Sequence, residues 1–142
     1  AKDFLNYAHS KGITIFYITN RVAELKEATQ QNLTNLGIPW DQTKETILMR
    51  GENGWGSDKG SRRALVAEEY RVLLVAGDNL GDFVDAKDNN LSPNGRKKIV
   101  ETYHEYWELN GSCYKILLTV IGREPFTTLI ILWTPMKSIK LV

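Results

Sequence analysis

Two carboxylates stand four residues apart in a glycine-rich segment that directly follows an apolar run. The run covers residues 72–76, and the acidic residues after it are Asp78 and Asp82. A short apolar run that ends in glycine predicts a buried strand leading into a tight loop. Open α/β sheets bind ligands at the carboxyl ends of their strands, and oxygen ligands suit magnesium, so both residues are candidate Mg²⁺ ligands. Considered alone, the pair is explained equally well by a solvated turn.

Two further polar clusters precede this acidic pair. Thr19 and Asn20 follow the apolar run at residues 13–18, and Lys59 stands at the start of a predicted helix. A hydroxyl and an amide can hold phosphate oxygens, an ammonium can neutralise them, and two carboxylates can hold a metal ion that bridges them. Taken singly, Thr19 and Asn20 could cap the next helix, and Lys59 could be an ordinary solvated lysine. Three such clusters in this order at one sheet edge favour a phosphate site.

The elements that must position these residues alternate between helix and strand. Apolar spacing and glycine stops predict four helices, near residues 4–11, 22–36, 57–70 and 96–107. Runs rich in Ile, Leu and Val predict three strands, at residues 13–18, 46–49 and 72–76. Such alternation predicts an α/β fold with the three strands parallel in one sheet and helices on both faces.

Length and composition limit the possible classes of protein. A chain of 142 residues with 42% apolar and 25% charged residues is typical of one globular domain. The net charge of +1 gives no overall attraction to nucleic acid or to an anionic membrane. Cys113 is the only cysteine, so no disulfide can form within the chain. The polar start at Ala1 carries no targeting signal, and we expect it to be an internal point of a longer protein.

Three segments resemble the acid phosphatases of the haloacid dehalogenase (HAD) superfamily. More narrowly, they resemble the class C enzymes, which are bacterial lipoprotein 5'-nucleotidases. The segments are Ile-Phe-Tyr-Ile-Thr-Asn-Arg at 15–21, Ser-Asp-Lys-Gly-Ser-Arg-Arg at 57–63 and Val-Ala-Gly-Asp-Asn-Leu-Gly-Asp-Phe at 75–83. The resemblance covers residues 1 to about 107. It implies a three-layer, Rossmann-like HAD core and Mg²⁺-dependent hydrolysis of phosphomonoesters through an aspartyl-phosphate.

The resemblance also implies a role for each candidate residue. Thr19, with Asn20, matches the family's second motif, which hydrogen-bonds the transferring phosphoryl group. Lys59 matches the third-motif lysine, which pairs with the phosphate and with the nucleophilic carboxylate. Asp78 and Asp82 match the fourth-motif acids, which hold Mg²⁺ directly or through water. The implied substrate is a small phosphomonoester, above all a nucleoside monophosphate, and the implied location is periplasmic or anchored to a bacterial outer membrane.

One family motif has no counterpart in these residues. The first motif, Asp-x-Asp-x-Thr, supplies the nucleophile and the general acid, and no Asp-x-Asp occurs among the 142 residues. We expect this motif and its strand to precede Ala1, so that the core formed by residues 1–107 is incomplete at its N-terminus and inactive by itself. The alternatives are a phosphate- or nucleotide-binding module without catalysis, and a fragment that does not fold stably.

Residues 108–142 do not resemble the family and are set apart from the partial core at residues 1–107. Two apolar segments, 115–121 and 127–133, predict strands, and neither is long enough to cross a bilayer. Codons that encode the chain from Trp107 onward can also encode, in a shifted frame, residues similar to the family's C-terminal segment. We therefore hypothesise a shifted reading frame that begins at Trp107. In that case the tail makes few specific contacts with the core, or it fills the place of a missing strand.

Overall fold

The computed structural model describes residues 2–77, 80–85, 92–102 and 128–135. The described helices, in chain order, are α1 (Lys2–Ser10), α2 (Lys26–Asn35), α3 (Gly60–Glu69) and α4 (Pro93–Thr102). The described strands are β1 (Thr14–Val22), β2 (Ile47–Arg50), β3 (Tyr70–Ala76) and β4 (Thr128–Pro135). Short 3₁₀ turns lie at Ala23–Leu25, Glu52–Gly54 and Leu80–Asp82. The predicted alternation of helix and strand is therefore confirmed as far as α4.

The four described strands form one sheet in the order β2-β1-β4-β3. β1 and β2 pair in parallel, with Tyr17 opposite Ile47. β4 lies between β1 and β3 and pairs antiparallel with both. Because β1 and β3 each run opposite to β4, they run in the same direction. The three strands predicted to be parallel are therefore parallel, and the sheet is mixed because β4 enters it in the opposite sense.

Side chains of β1 alternate between two apolar clusters, one on each face of the sheet. Ile15 and Tyr17 belong to a cluster that also contains buried residues of α1, α2 and β2. Phe16 and Ile18 belong to the other cluster, together with Val66 of α3. Burying a side chain of this size contributes about 1.5–3 kcal/mol relative to leaving it in water. Helices cover both faces, so the predicted three-layer α/β fold is confirmed for the part of the chain that the structure describes.

The glycine stops predicted for α1 and α2 are confirmed. Gly12 has φ of 76° and Gly37 has φ of 63°, in the left-handed region that favours glycine. The N–H of Gly12 donates to the carbonyl of His9, and the N–H of Gly37 donates to the carbonyl of Thr34. These bonds satisfy carbonyl groups at the helix ends and turn the chain toward the next element.

The start of α3 differs from the predicted helix, which began near residue 57. The helix begins at Gly60, and Lys59 occupies the cap position without a side-chain capping bond. Asp58 still accepts a hydrogen bond from the N–H of Gly60, at 2.5 Å. A Cβ on Gly60 would clash with the carboxylates of Asp58 and Asp85, so glycine at this position lets two acidic loops close on the helix.

The strand β2, at one end of the described sheet, is covered by a group that we call the glutamate cover, which consists of Lys26, Glu45 and Glu52. The N–H of Ile47 donates to Oε1 of Glu45 at 3.3 Å, and the N–H of Met49 donates to Oε2 of Glu52 at 2.8 Å. Lys26 bonds the second oxygen of each glutamate. Burial alone would lower the pKa of Lys26, but the hydrogen bonds and charges of the two glutamates outweigh it, so this pKa lies above its ordinary value.

Of the tail, the structure describes residues 128–135, which form β4. The second apolar segment is therefore a strand, as predicted, and it occupies the space between β1 and β3, one of the two arrangements expected. The first apolar segment, at residues 115–121, lies outside the described residues. The boundary at residue 107 and the shifted reading frame stay predictions. No helix within the described ranges is long and apolar enough to span a bilayer.

Candidate active site

Lys59 and Asp82 form a buried ion pair. The Nζ of Lys59 donates to Oδ1 of Asp82 at 2.7 Å. Each residue is 2% exposed. A buried ammonium is tolerated only with a charged or hydrogen-bonding partner, so Lys59 is not the solvated lysine that its position in the sequence alone would suggest. The structure thus brings together two residues that lie 23 positions apart and that the sequence assigned to one site.

Gly77 allows Asp82 to lie against the end of β3. A Cβ added at Gly77 would lie 2.6 Å from the Cβ of Asp82 and 2.5 Å from its Oδ2. Both distances are well inside ordinary van der Waals contact, so a side chain at position 77 would displace Asp82. The 3₁₀ turn Leu80–Asp82 returns the carboxylate to the strand that ends at Ala76. Gly77 and the turn at Leu80–Asp82 therefore place Asp82 at the sheet edge.

Thr19 and Asn20 lie in the last part of β1, where its pairing with β2 is irregular. The predicted strand ended at residue 18, but β1 continues to Val22, and its register shifts between Thr19 and Val22. Such an irregularity bends a strand and redirects its side chains. The N-cap positions of the following 3₁₀ turn and of α2 are Val22 and Leu25, and neither start has a side-chain capping bond. Thr19 and Asn20 therefore do not cap the next helix.

Arg62 joins the end of β1 to the loop before α3. Its guanidinium donates to the carbonyl of Thr19 at 2.6 Å and to Oδ1 of Asn20 at 2.8 Å. It also donates to the carbonyls of Gly56 at 3.1 Å and Asp58 at 2.9 Å. We call this group of five residues the Arg62 clamp. Arg62 is 0% exposed, and burial lowers its pKa, an effect that the charge of Asp58 opposes. An arginine remains protonated even so.

Arg62 belongs to one of the segments that resemble the family, but its place in the sequence suggested no role for it. The available signal was its spacing of three residues from Lys59, which places both side chains on neighbouring positions of one helix surface. This spacing does not show what an arginine contacts, because its acceptors come from β1 and from a loop. Trp55 in the same loop packs against the cluster of Phe16 and Ile18, so it anchors the loop on the sheet.

Arg63 connects α3 to Asp82 and Asp85, which lie in and after the 3₁₀ turn Leu80–Asp82. It donates to the carbonyl of Asp82 at 3.0 Å and to a carboxylate oxygen of Asp85 at 3.0 Å. Burial lowers the pKa of Arg63, and the nearby carboxylates act against that effect. The first turn of α3 and its cap residue thus carry three basic side chains, each of which contacts a segment at the carboxyl end of β1 or β3. This sheet edge offers positive charge held in fixed positions.

Asp78 lies outside the described residues, so the structure places one of the two predicted metal ligands. Within residues 2–77, 80–85, 92–102 and 128–135, no group of three or more His, Cys, Asp or Glu side chains could hold a metal ion. Mg²⁺ keeps several waters and needs only one or two carboxylates from the protein. The carboxylate of Asp82 has the right chemistry for one of them, and its Oδ2 lies close to Gly77.

Known protein families indicate the function of the carboxyl edge of the sheet. The family model of the HAD superfamily, subfamily IIIB (Acid phosphatase), matches residues 1–117. The chain belongs to this family. The match supports the sequence resemblance to HAD acid phosphatases and extends beyond Trp107, where that resemblance ended. As a member of subfamily IIIB, the chain comes from a family of phosphoric monoester hydrolases, whose substrates are small phosphate esters.

The geometry of this subfamily IIIB chain suits phosphoryl chemistry. Phosphoryl transfer depends mainly on positioning the phosphoryl group and neutralising its charge. Lys59 provides a positive charge, Asp82 provides a carboxylate, and the Arg62 clamp fixes the strand end that carries Thr19. These parts lie at the carboxyl edge of the sheet.

Proposed function

We propose that this chain carries the phosphate-binding and metal-binding parts of a Mg²⁺-dependent acid phosphatase. In this proposal Thr19 and Asn20 bind phosphoryl oxygens, Lys59 neutralises them, and Asp78 and Asp82 hold Mg²⁺. The observation that carries the proposal is the buried contact of Lys59 with Asp82 in a chain of the acid phosphatase family. A lysine kept 2% exposed at a sheet edge is costly to bury, and binding an anion gives a reason for that cost.

The substrate in this proposal is a small phosphomonoester, and a nucleoside 5'-monophosphate is the preferred candidate. The support for this choice is the resemblance of residues 57–63 and 75–83 to the class C enzymes, which also suggests a periplasmic or outer-membrane location. Bound Mg²⁺ would supply positive charge against the phosphoryl oxygens. An aspartyl-phosphate requires a first-motif aspartate, and no Asp-x-Asp occurs among the 142 residues. These 142 residues are therefore proposed to bind phosphate without turnover.

Turnover is tested with p-nitrophenyl phosphate, in the presence and in the absence of Mg²⁺. We expect no measurable hydrolysis by the 142-residue chain, because loss of a nucleophile typically removes several orders of magnitude in rate. Robust turnover that survives repurification would show that the nucleophile lies among these residues and that the proposed assignment is wrong.

Phosphate binding is tested by titrating inorganic phosphate into the chain and following backbone amide signals by NMR. The variant K59M/D82N removes the lysine together with the carboxylate charge that it neutralises, and we expect it to lose phosphate binding. Lys97→Met removes a lysine whose side chain is 77% exposed on α4, and it serves as the matched control with unchanged binding. Equal phosphate binding by K59M/D82N and the parent chain would contradict the role of Lys59.

A further inference from the structure

We infer that Arg62 is a positioning residue of the phosphate site, which fixes the strand end that binds phosphate relative to the lysine that neutralises it. The inference rests on the proposed function and assigns a task to a residue that the sequence pattern left without one. Both terminal nitrogens of the Arg62 guanidinium are bonded to protein acceptors, so we assign Arg62 no direct contact with phosphate. It acts through the residues that it holds.

The first support is that the Arg62 clamp spans two segments that are distant in sequence. Two of its acceptors, on Thr19 and Asn20, lie 42 or more positions away, at the end of β1. The other two, on Gly56 and Asp58, belong to the loop that leads into α3. The planar guanidinium offers its donors in a fixed fork, so four bonds define the relative position of both segments and not only their distance.

The second support is the chemistry of the acceptors. Three are main-chain carbonyls and one is a side-chain amide, so none of the four direct hydrogen bonds is to a carboxylate. A buried arginine that only needed charge compensation would be expected against an anion. Here a buried charge is used on neutral acceptors, and the Nε of Arg62 has no hydrogen-bond partner. The charge of Asp58 compensates Arg62 only through space, so the four direct bonds serve to hold these two segments in register.

The third support is the helix that Arg62 shares with Lys59. The two residues are three positions apart at the start of α3, so they lie on one surface of a rigid element. Fixing Arg62 against β1 therefore fixes where the ammonium of Lys59 stands relative to Thr19. A further hydrogen bond, from Nδ2 of Asn20 to the carbonyl of Ser57 at 2.8 Å, ties the same two segments together. Asn20 thus engages both its amide oxygen and its amide nitrogen in this scaffold.

The test is the conservative variant Arg62→Lys, which keeps the charge but replaces a fork of donors by a single ammonium. We expect it to weaken binding of inorganic phosphate at least about tenfold, as small misplacements at such sites do. We also expect shifts of the backbone amide signals of Asn20, Ser57 and Lys59, which directly follow the three carbonyl acceptors. Leu33→Ala, in the apolar cluster of the opposite face, is the control for general loss of packing and should bind phosphate as the parent does.

A folded R62K protein with parental phosphate affinity would overturn the inference. If the parent chain itself binds no phosphate, the proposed function fails, and the positioning role is then judged by the amide signals alone. In that case shifted signals in R62K would uphold only that Arg62 joins the two segments, and unchanged signals would overturn this as well. If R62K does not fold, Asn20→Ala takes its place, because it removes the strand-side amide from the clamp. Faster hydrogen exchange at Ser57 and Asp58 is then expected, and unchanged exchange would overturn the inference.

Discussion

The carboxyl end of β1 and the edge of β1 that faces β4 are held by different kinds of interaction. At its carboxyl end, the Arg62 clamp uses one particular side chain whose four bonds require a guanidinium in one place. Along its inner side, β4 pairs with β1 from Thr14 opposite Trp133 to Thr19 opposite Thr128, through the main chain. Many different sequences can form main-chain pairing, whereas the Arg62 clamp requires an arginine. The phosphate edge is therefore specified by side chains, and the continuity of the sheet is specified by backbone.

The largest effect on stability is expected from removing β4, which is held by main-chain pairing. A chain that ends at residue 127 lacks β4, so among the described strands β3 has no partner left and β1 pairs with β2 alone. A two-stranded parallel pair and a single strand do not form a stable sheet, and we expect the cooperative unfolding transition to disappear. Urea unfolding followed by circular dichroism measures this. A chain that ends at residue 135 keeps β4 and should unfold cooperatively, and an unchanged midpoint for the shorter chain would show that β4 is not needed.

The next largest effect on stability is expected from breaking the buried ion pair at the carboxyl end of the sheet. Lys59→Met leaves Asp82 buried without its ammonium partner, and breaking a buried pair in this way typically costs about 3–5 kcal/mol in the free energy of unfolding. Urea unfolding provides the measurement. The double variant K59M/D82N should recover a large part of the loss because the buried carboxylate charge is removed as well. A loss below about 1 kcal/mol for K59M would mean that the pair is solvated and would bring this region closer to an ordinary surface.

The strands and the ion pair that these two predictions concern could both be predicted from the sequence. The three parallel strands were predictable because each is a short apolar run between helical segments, and crossover connections in such folds have a fixed hand. Lys59 and Asp82 were predictable as neighbours because both follow elements that end at the same sheet edge. In each case the residue types carry the information.

The position of β4 and the role of Arg62 were not predictable in the same way. An apolar run shows that residues 127–133 favour a strand, but it does not determine which strands lie beside it or in which direction it runs. Arg62 looks like one of many helix arginines until its acceptors on β1 and the preceding loop are known. Asp78 lies outside the described residues, so its place in the site stays a prediction.

A moderate effect is expected from Gly77→Ala. The added Cβ would lie 2.6 Å from the Cβ of Asp82, so the loop must shift, and overpacking of this kind typically costs about 1–3 kcal/mol. Gly56→Ala is the matched control, since a Cβ there meets nothing within 4 Å, and its effect should stay within about 0.5 kcal/mol. Thermal unfolding compares the two. Equal effects would show that the approach of Asp82 to the strand end is not tight, which would weaken the contrast between the two sides of β1.

The smallest effect on stability is expected from Lys26→Met, in the glutamate cover of β2. The lysine is partly exposed, and loss of its two ion pairs should cost about 1 kcal/mol. Its pKa is raised in the folded state, so its contribution is fully present below the ordinary value of 10.5 and is lost as pH rises through the raised folded value. Unfolding midpoints at neutral pH and at alkaline pH measure this. The difference between parent and variant should shrink only in alkaline solution, and a difference that shrinks toward acidic pH above the glutamate range would contradict the assignment.

The glutamate cover has a consequence for how this molecule meets other copies of itself. An exposed edge strand offers unpaired main-chain groups to any extended chain, which is a common route to self-association. At β2, the donors of Ile47 and Met49 are already bonded to carboxylates. A second chain that approached this edge would have to separate Lys26 from two glutamates, and its own carbonyl oxygens would face negative charge. The three side chains therefore act as a guard against unwanted strand addition, at the edge of the sheet where β2 has only one neighbouring strand among those described.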